Sequence, residues 1–332
     1  MTFLNNLFVR RSDVNYKALL RRYSVLLILL GLIALFALIT PRFLHPQNLM
    51  NIALQSSITA IAALGLLLPI LTGGIDLSVG STAALAGAIS AGLAVRSGLP
   101  VFAVIVLGLL IGAIAGTIIG LLAVGGKLPP FVASLSLMAI ARGLTLVYTE
   151  GKPISGLPEG YIALGSGFIG PFPIPVFFLI IMAAAVHVLL TYTRYGHHIY
   201  AVAGKDDTAR LAGIAAGPMT VSVYTLSGFF SAFAGILLTA RLWSAQPTAG
   251  IGLELEAIAT VVLGGASLMG GYGNAGGTVV GAMIMGVIGN GLNLMKISSY
   301  VQQIIKGLIL VAAVMIDIHS RRSQNRKKMK LV

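Results

Sequence analysis

Residues 99–124 read LPVFAVIVLGLLIGAIAGTIIGLLAV, a stretch without a charged side chain. A helix needs about 20 apolar residues to cross the hydrocarbon core of a bilayer. Only helices and closed β-barrels satisfy the backbone hydrogen bonds at that depth. Because the apolar residues are continuous rather than alternating, the pattern favours a membrane-spanning helix over a barrel strand.

Comparable apolar runs fill most of the chain on both sides of this stretch. Including it, they lie at about 23–39, 49–71, 78–95, 99–124, 130–148, 174–192, 218–240, 254–270, 275–294 and 300–318. Hydrophobic residues make up 57% of the chain and charged residues 9%, whereas a soluble domain has about 25% charged residues. The sequence therefore predicts an all-α, polytopic membrane protein with about ten transmembrane helices.

The formal net charge of +13 is concentrated at the two ends of the chain. Basic clusters lie before the first apolar run and after the last one, as is typical of cytoplasmic segments that flank spans. Topology therefore explains the charge better than nucleic-acid binding does. We expect a cytoplasmic segment at 1–22, a transmembrane domain at 23–318 and a basic cytoplasmic tail at 319–332. The run 23–39 lacks a small-residue cleavage site, which indicates a retained span rather than a signal peptide.

Patterns of catalysis or cofactor binding are missing from the sequence. The chain has no cysteine, which excludes disulfides and thiolate chemistry. Its glycine-rich stretch at 264–277 contains no GxxxxGK[ST] motif, and its five histidines form no spaced metal set. We therefore predict no catalytic site, metal or cofactor in this chain.

Two polar connections are long enough to carry a function. The first, 149–173, is rich in glycine and proline and is expected on the outer side of the membrane. The second, 193–218, is expected on the inner side, and its part 205–214 predicts a short helix with Asp206 and Asp207 near its start. This helix either docks on a cytosolic partner or is an ordinary surface helix.

Asp76 is the sharpest single feature, in the segment Gly73-Gly74-Ile75-Asp76-Leu77-Ser78 between two apolar runs. An acid near membrane depth is expensive and indicates a function by default. The carboxylate could accept hydrogen bonds from a substrate or a gate, with Ser78 beside it. Alternatively it caps the next helix by accepting backbone N–H bonds from residues such as Val79.

Arg142 lies inside another apolar run, so its partner is in question. Asp76, Glu150 and backbone carbonyls are candidates, and the side chain could instead extend toward the outer interface. Glu254 and Glu256 are two residues apart and do not share a helical face. They are expected at the head of a helix, where the dipole favours acids.

Small residues suggest where helices approach one another. Gly112, Gly116 and Gly120 form two overlapping GxxxG pairs, which favour a close helix contact. The stretches 69–88 and 261–282 share a loose pattern of apolar run, glycine pair and apolar run, which suggests an internal repeat.

Five blocks of the sequence resemble the permeases of monosaccharide ABC transporters, with the nearest likeness to ribose import. They are LTGGIDLSVGS (71–81), GKLPPFVASLSLMAIARGLTLVYTEGKPI (126–154), YGHHIYAVAGKDDTARLAGI (195–214), SAQPTAGIGLELEAIATVVLGGASLMGGYG (244–273) and NGLNLMKISSYVQQIIKG (290–307). Together they run over nearly the whole chain.

The resemblance implies a homodimer in the inner membrane, driven by separate cytosolic ATPase subunits that use ATP and Mg. A periplasmic sugar-binding protein would deliver the substrate. It also implies that the inner connection contacts the ATPase through Ala203, Gly204, Lys205, Asp206, Asp207, Ala209, Arg210, Leu211 and Gly213. Members of the family often carry Asn or Glu where this chain has Lys205-Asp206-Asp207.

The resemblance implies alternating access, in which ATP binding moves the coupling region and switches the exposure of a sugar pathway. Asp76, Ser78 and Arg142 are candidates for that pathway or its gate. A rival hypothesis is a stand-alone secondary transporter driven by ions, which would require several intramembrane acids or a proton relay. Only Asp76, Glu254 and Glu256 come near that pattern.

Overall fold

The computed structural model describes residues 24–203 and 213–329, with side chains up to His319. The expected N-terminal segment 1–22 and the side chains of most of the basic tail lie outside these residues. The all-α, polytopic fold is confirmed. The described helices are α1 (Ser24–Ile39), α2 (Pro46–Leu71), α3 (Val79–Arg96), α4 (Val101–Val124), α5 (Pro130–Thr149), α6 (Glu159–Ser166), α7 (Ile174–Tyr192), α8 (Arg194–Val202), α9 (Ala216–Arg241), α10 (Leu253–Leu263), α11 (Ala275–Leu294) and α12 (Ser299–Met329).

Eight of the described helices are long and apolar enough to cross a membrane: α2, α3, α4, α5, α7, α9, α11 and the first part of α12. Two further predicted runs form shorter helices, since α1 has 16 residues and α10 has 11. The predicted run 254–270 is helical only as far as Leu263. Gly265, just after the C-cap, has a positive φ angle that ends the helix, and the chain turns again at Gly270 and Gly271, whose φ angles are also positive.

The core lies around α2, which is surrounded by protein rather than lipid. Of the most apolar 18-residue stretch of α2, 94% is buried inside the protein, whereas only 6% of the corresponding stretch of α12 is buried. Helix α9 packs against α2, α3 and α4, and α11 packs against α2 and α10. Apolar side chains such as Ile180 of α7 and Ile316 of α12 are exposed at the periphery, as lipid-facing positions require.

The predicted contact of the GxxxG residues is present between α4 and α9. A side chain at Gly112 would collide with the carbonyl of Gly228, and one at Gly116 would collide with the carbonyl of Tyr224. Gly120 faces the backbone of Val221 in the same way. The absence of side chains at these positions therefore allows the two backbones to touch.

The bundle has two ends, which we name after their short helices. At the α6 end, β1 (Ile154–Ser155) pairs with β4 (Ser244–Ala245), antiparallel, with Ile154 opposite Ala245. A second ribbon at that end joins β2 (Phe168–Ile169) to β3 (Phe172–Pro173). The connection 149–173 is thus folded rather than extended.

Tyr161 connects α6 to the helix bundle. Its side chain is fully buried, and its hydroxyl lies 2.6 Å from Oγ of Ser90 on α3. Burial raises the pKa of this phenol, so it remains a neutral hydrogen-bonding group. A side chain at Gly165 would strike the backbone of Leu237 and Arg241, so α6 also lies directly on α9.

The α8 end contains an amphipathic helix that the sequence analysis did not predict. Thr193 caps α8 by accepting a hydrogen bond from the Gly196 N–H at 3.1 Å. Ile199 and Val202 are buried on one face of the helix. The hydroxyl of Tyr200 donates to the Gly273 carbonyl at 2.7 Å, which holds α8 against the turn after α10. The helix predicted at 205–214 lies mostly outside the described residues.

Candidate functional site

Asp76 lies in a non-helical connection between α2 and α3, with no exposed surface. Its Oδ1 accepts hydrogen bonds from the N–H and the hydroxyl of Ser78, at 2.9 and 2.7 Å. Its Oδ2 accepts one from the hydroxyl of Ser227 on α9, at 2.7 Å. The carboxylate therefore ties the connection to α9 and stabilises the start of α3. The backbone donor is Ser78 rather than Val79.

Glycines make room for this connection at membrane depth. Gly73 has a φ of 86°, which lets the chain leave the end of α2. A side chain at Gly74 would collide with the hydroxyl of Tyr224, which itself donates to the Ile75 carbonyl at 3.4 Å. The hydroxyl of Ser134 on α5 reaches the same carbonyl at 3.1 Å. Side chains of α5 and α9 thus satisfy the backbone where helical hydrogen bonds stop.

Ser78 extends the hydrogen-bond chain into α3. Its Oγ accepts from Oγ1 of Thr82 at 3.2 Å while it donates to Asp76. Both hydroxyl residues are buried. In this conformation Asp76 and Ser78 are buried and hold the connection in place through hydrogen bonds, and they do not line an open passage.

Arg142 of α5 binds two backbone carbonyls. Its Nη1 donates to the carbonyls of Pro247 and Ala249, at 2.8 and 2.9 Å. Backbone carbonyls were among the partners that the sequence analysis considered for Arg142, and the structure shows that they bind it.

Residues 246–252 form a second non-helical segment, which the sequence analysis did not single out. It lies between Arg142 on one side and the start of α3 on the other. Gly250 and Gly252 have φ angles of 70° and 82°. A side chain at Gly80 would strike the carbonyl of Gly250 and the carboxylate of Glu254. The pair of glycines around Ile251 was the available sequence signal.

Glu254 and Glu256 lie in the first turn of α10, as predicted. Glu254 accepts a hydrogen bond from the Gly252 N–H at 3.2 Å. Glu256 instead forms an ion pair with Lys306 of α12, with 2.7 Å between Nζ and Oε2. Each acid therefore has a different partner: Glu254 bonds within its own segment, and Glu256 joins the start of α10 to α12.

The three candidate pathway residues do not form one cluster. Asp76 and Ser78 bond to each other, and no contact between them and Arg142 is found in the described part of the chain. The segment 246–252 connects the two groups, because it touches Gly80 and Arg142. Any movement of this segment would therefore change the contacts of both Gly80 and Arg142.

A cavity of about 970 Å³ opens at the α8 end and is lined in part by the connection between α2 and α3. Thr72, Gly73, Lys127, Gly213 and Tyr224 are among its lining residues. Ala203 lies at the C-terminal end of α8 and faces Gly271. The other predicted coupling residues, Gly204, Lys205, Asp206, Asp207, Ala209, Arg210 and Leu211, lie outside the described residues.

The described residues contain no group of three or more His, Cys, Asp or Glu side chains that could hold a metal ion. Apolar side chains such as Val124, Val202 and Ile214 make up much of the described lining of the cavity at the α8 end, together with glycines, the hydroxyl residues Thr72, Thr220 and Tyr224, and Lys127. This lining offers hydrogen bonds to a neutral polar solute without a cluster of like charges.

Known proteins match the chain over almost its full length. Residues 48–314 match the family described as branched-chain amino acid transport system / permease component. The ribose import permease of Haemophilus influenzae is 45% identical over 293 residues, covering 87% of this chain and 90% of that protein. The corresponding protein of Bacillus subtilis is 43% identical over 309 residues, covering 92% and 96%. No solved structure matches the chain.

A third relative is named for a different sugar. The D-allose transport system permease of Escherichia coli is 36% identical over 308 residues, covering 92% of this chain and 94% of that protein. The family match runs from the first turn of α2 into α12 and includes both non-helical segments described above. This chain therefore belongs to the family of branched-chain amino acid transport system permease components.

Proposed function

We propose that the chain is the membrane-spanning permease subunit of an ATP-driven importer that translocates ribose. The observation that carries the proposal is the 43–45% identity to two ribose import permeases over most of both chains. The 36% identity to the D-allose permease is lower over a similar length. A pentose is therefore favoured over a hexose as the substrate.

The proposal assigns ATP hydrolysis to a separate cytosolic subunit that uses ATP and Mg. A periplasmic sugar-binding protein delivers ribose, and a second copy of the chain completes the pathway in the inner membrane. Both termini and the connection 193–218 then face the cytoplasm. Basic residues at the α8 end, such as Lys127 and Arg194, support this orientation.

Alternating access requires elements that can change their arrangement without exposing unpaired backbone groups. The connection 72–78 and the segment 246–252 are two such elements, since side chains rather than helical bonds hold them. Arg142 would control the second segment through the carbonyls of Pro247 and Ala249. Asp76 and Ser78 would act by positioning the start of α3.

Docking of the ATPase on residues 203–213 can be tested by charge reversal. We expect Asp207→Lys and Arg210→Glu to reduce co-purification of the ATPase subunit about tenfold, or roughly 1.4 kcal/mol of binding free energy. Ribose uptake should fall in parallel. Glu159→Lys is a matched control, because it makes the same kind of charge change on an exposed residue at the opposite end.

Two results would contradict parts of the proposal. Unchanged co-purification and uptake in both variants would remove the docking role of residues 203–213. Ribose uptake by the chain alone, in liposomes that contain an ion gradient and no ATPase, would instead favour a secondary transporter. Competition between labelled ribose and unlabelled allose in the complete system measures which sugar is preferred.

A further inference from the structure

An apolar groove of about 640 Å³ opens between α7, α8 and α9. Leu189 of α7 and Tyr195 of α8 form part of its wall, and Pro218, Val221 and Leu226 of α9 form another part. The interval from Pro218 to Leu226 corresponds to about 12 Å of helix. The groove thus starts near the α8 end and continues into the membrane-spanning part of α9.

The polar side chains on the groove already have partners. The hydroxyls of Tyr195 and Ser222 lie 2.7 Å apart, and those of Thr117 and Thr225 lie 2.8 Å apart. These pairs leave the groove mostly apolar, so it suits a hydrocarbon chain better than a sugar or a peptide backbone. At this depth the surrounding solvent consists of lipid acyl chains.

A basic residue is adjacent in the chain to the part of the groove wall that α8 forms. Arg194 is exposed and directly precedes Tyr195, the residue of α8 that lines the groove. The first turn of α8 contains no acidic side chain. Basic residues between transmembrane helices attract the headgroups of anionic lipids.

We propose that this groove binds one acyl chain of an anionic phospholipid, whose phosphate lies against Arg194. The lipid would fill the space between α7 and α9 and hold α8 in its position on the bundle. Because α8 ends next to Ala203, the lipid would also stabilise the position of the C-terminal end of this helix. The proposal concerns lipid binding by this chain and does not depend on the transported substrate.

The test is the phospholipid retained by the full-length chain after reconstitution in vesicles of phosphatidylglycerol and phosphatidylcholine. The chain is extracted in mild detergent, and retained lipid is counted by native mass spectrometry. We expect about one phosphatidylglycerol per chain. Leu189→Trp should fill the groove and reduce retention at least fivefold. Arg194→Gln should abolish the preference for phosphatidylglycerol over phosphatidylcholine.

Val188→Trp is the matched control, because Val188 is the neighbouring residue of α7 and is 50% exposed outside the groove. It should retain as much phosphatidylglycerol as the unchanged chain. Equal retention in Leu189→Trp and Val188→Trp would overturn the acyl-chain site. Equal retention of the two lipids by the unchanged chain would overturn the headgroup assignment, and so would a preference that survives Arg194→Gln. Arg194 is exposed, so that variant should fold even if Leu189→Trp does not.

Discussion

At the scale of single residues, the buried carboxylate of Asp76 depends on its three hydrogen bonds. Ser227→Ala would remove one of them and leave the buried Oδ2 without that hydrogen-bond donor. We expect a loss of about 1–3 kcal/mol in stability, measured by thermal unfolding in detergent. Ser136→Ala is the control, because Ser136 is exposed and bonds only within its own helix. Equal melting temperatures for both variants would show that the Asp76–Ser227 bond contributes little.

The same residues show what can be predicted from the sequence at this scale. The position of Asp76 between two apolar runs was sufficient to single it out, because intramembrane acids are rare. Its partner Ser227 lies on α9, and serine is too common in this chain to point to one position. Lys306 and Glu256 are likewise 50 residues apart, so their ion pair follows from tertiary packing alone.

At the scale of helices, the contact between α4 and α9 depends on glycines in the middle of both. Gly116→Val would place a branched side chain against the carbonyl of Tyr224 and force the helices apart. We expect a loss of about 1–3 kcal/mol in thermal stability. Gly143→Ala is the control, since apart from the adjacent residues and the backbone of its own helix no atom lies within 4 Å of the added group. A Gly116→Val variant as stable as this control would contradict the close contact.

Elements with a uniform apolar pattern could be predicted, whereas interrupted ones could not. The run 99–124 contains α4 because nothing breaks it. The run 254–270 continues to be apolar past Leu263, but glycines with positive φ angles end α10 there. A hydropathy pattern does not predict where this helix ends, because glycine occurs both in membrane helices and in turns. For the segment 246–252, the glycines around Ile251 were the available sequence signal, whereas its contacts with Arg142 and Gly80 follow from tertiary packing.

At the scale of the whole molecule, the proposed function places the α8 end of the bundle on the cytoplasmic side of the membrane. Lys127 and Arg194 lie at the α8 end, and the short helix α6 with its ribbons lies at the other. Basic residues favour the cytoplasmic side. Since only α7 crosses between Lys152 and His197, these two exposed residues must lie on opposite sides of the membrane.

This orientation can be measured directly, because the chain has no cysteine of its own. Lys152→Cys should react with a membrane-impermeant maleimide in intact spheroplasts. His197→Cys should react only after permeabilisation, because the proposed orientation places its side chain on the cytoplasmic side. Leu110→Cys, on the exposed face in the middle of α4, should remain unlabelled in both conditions. The reverse labelling of the first two variants would put residues 203–213 outside the cell, where no cytosolic ATPase could reach them.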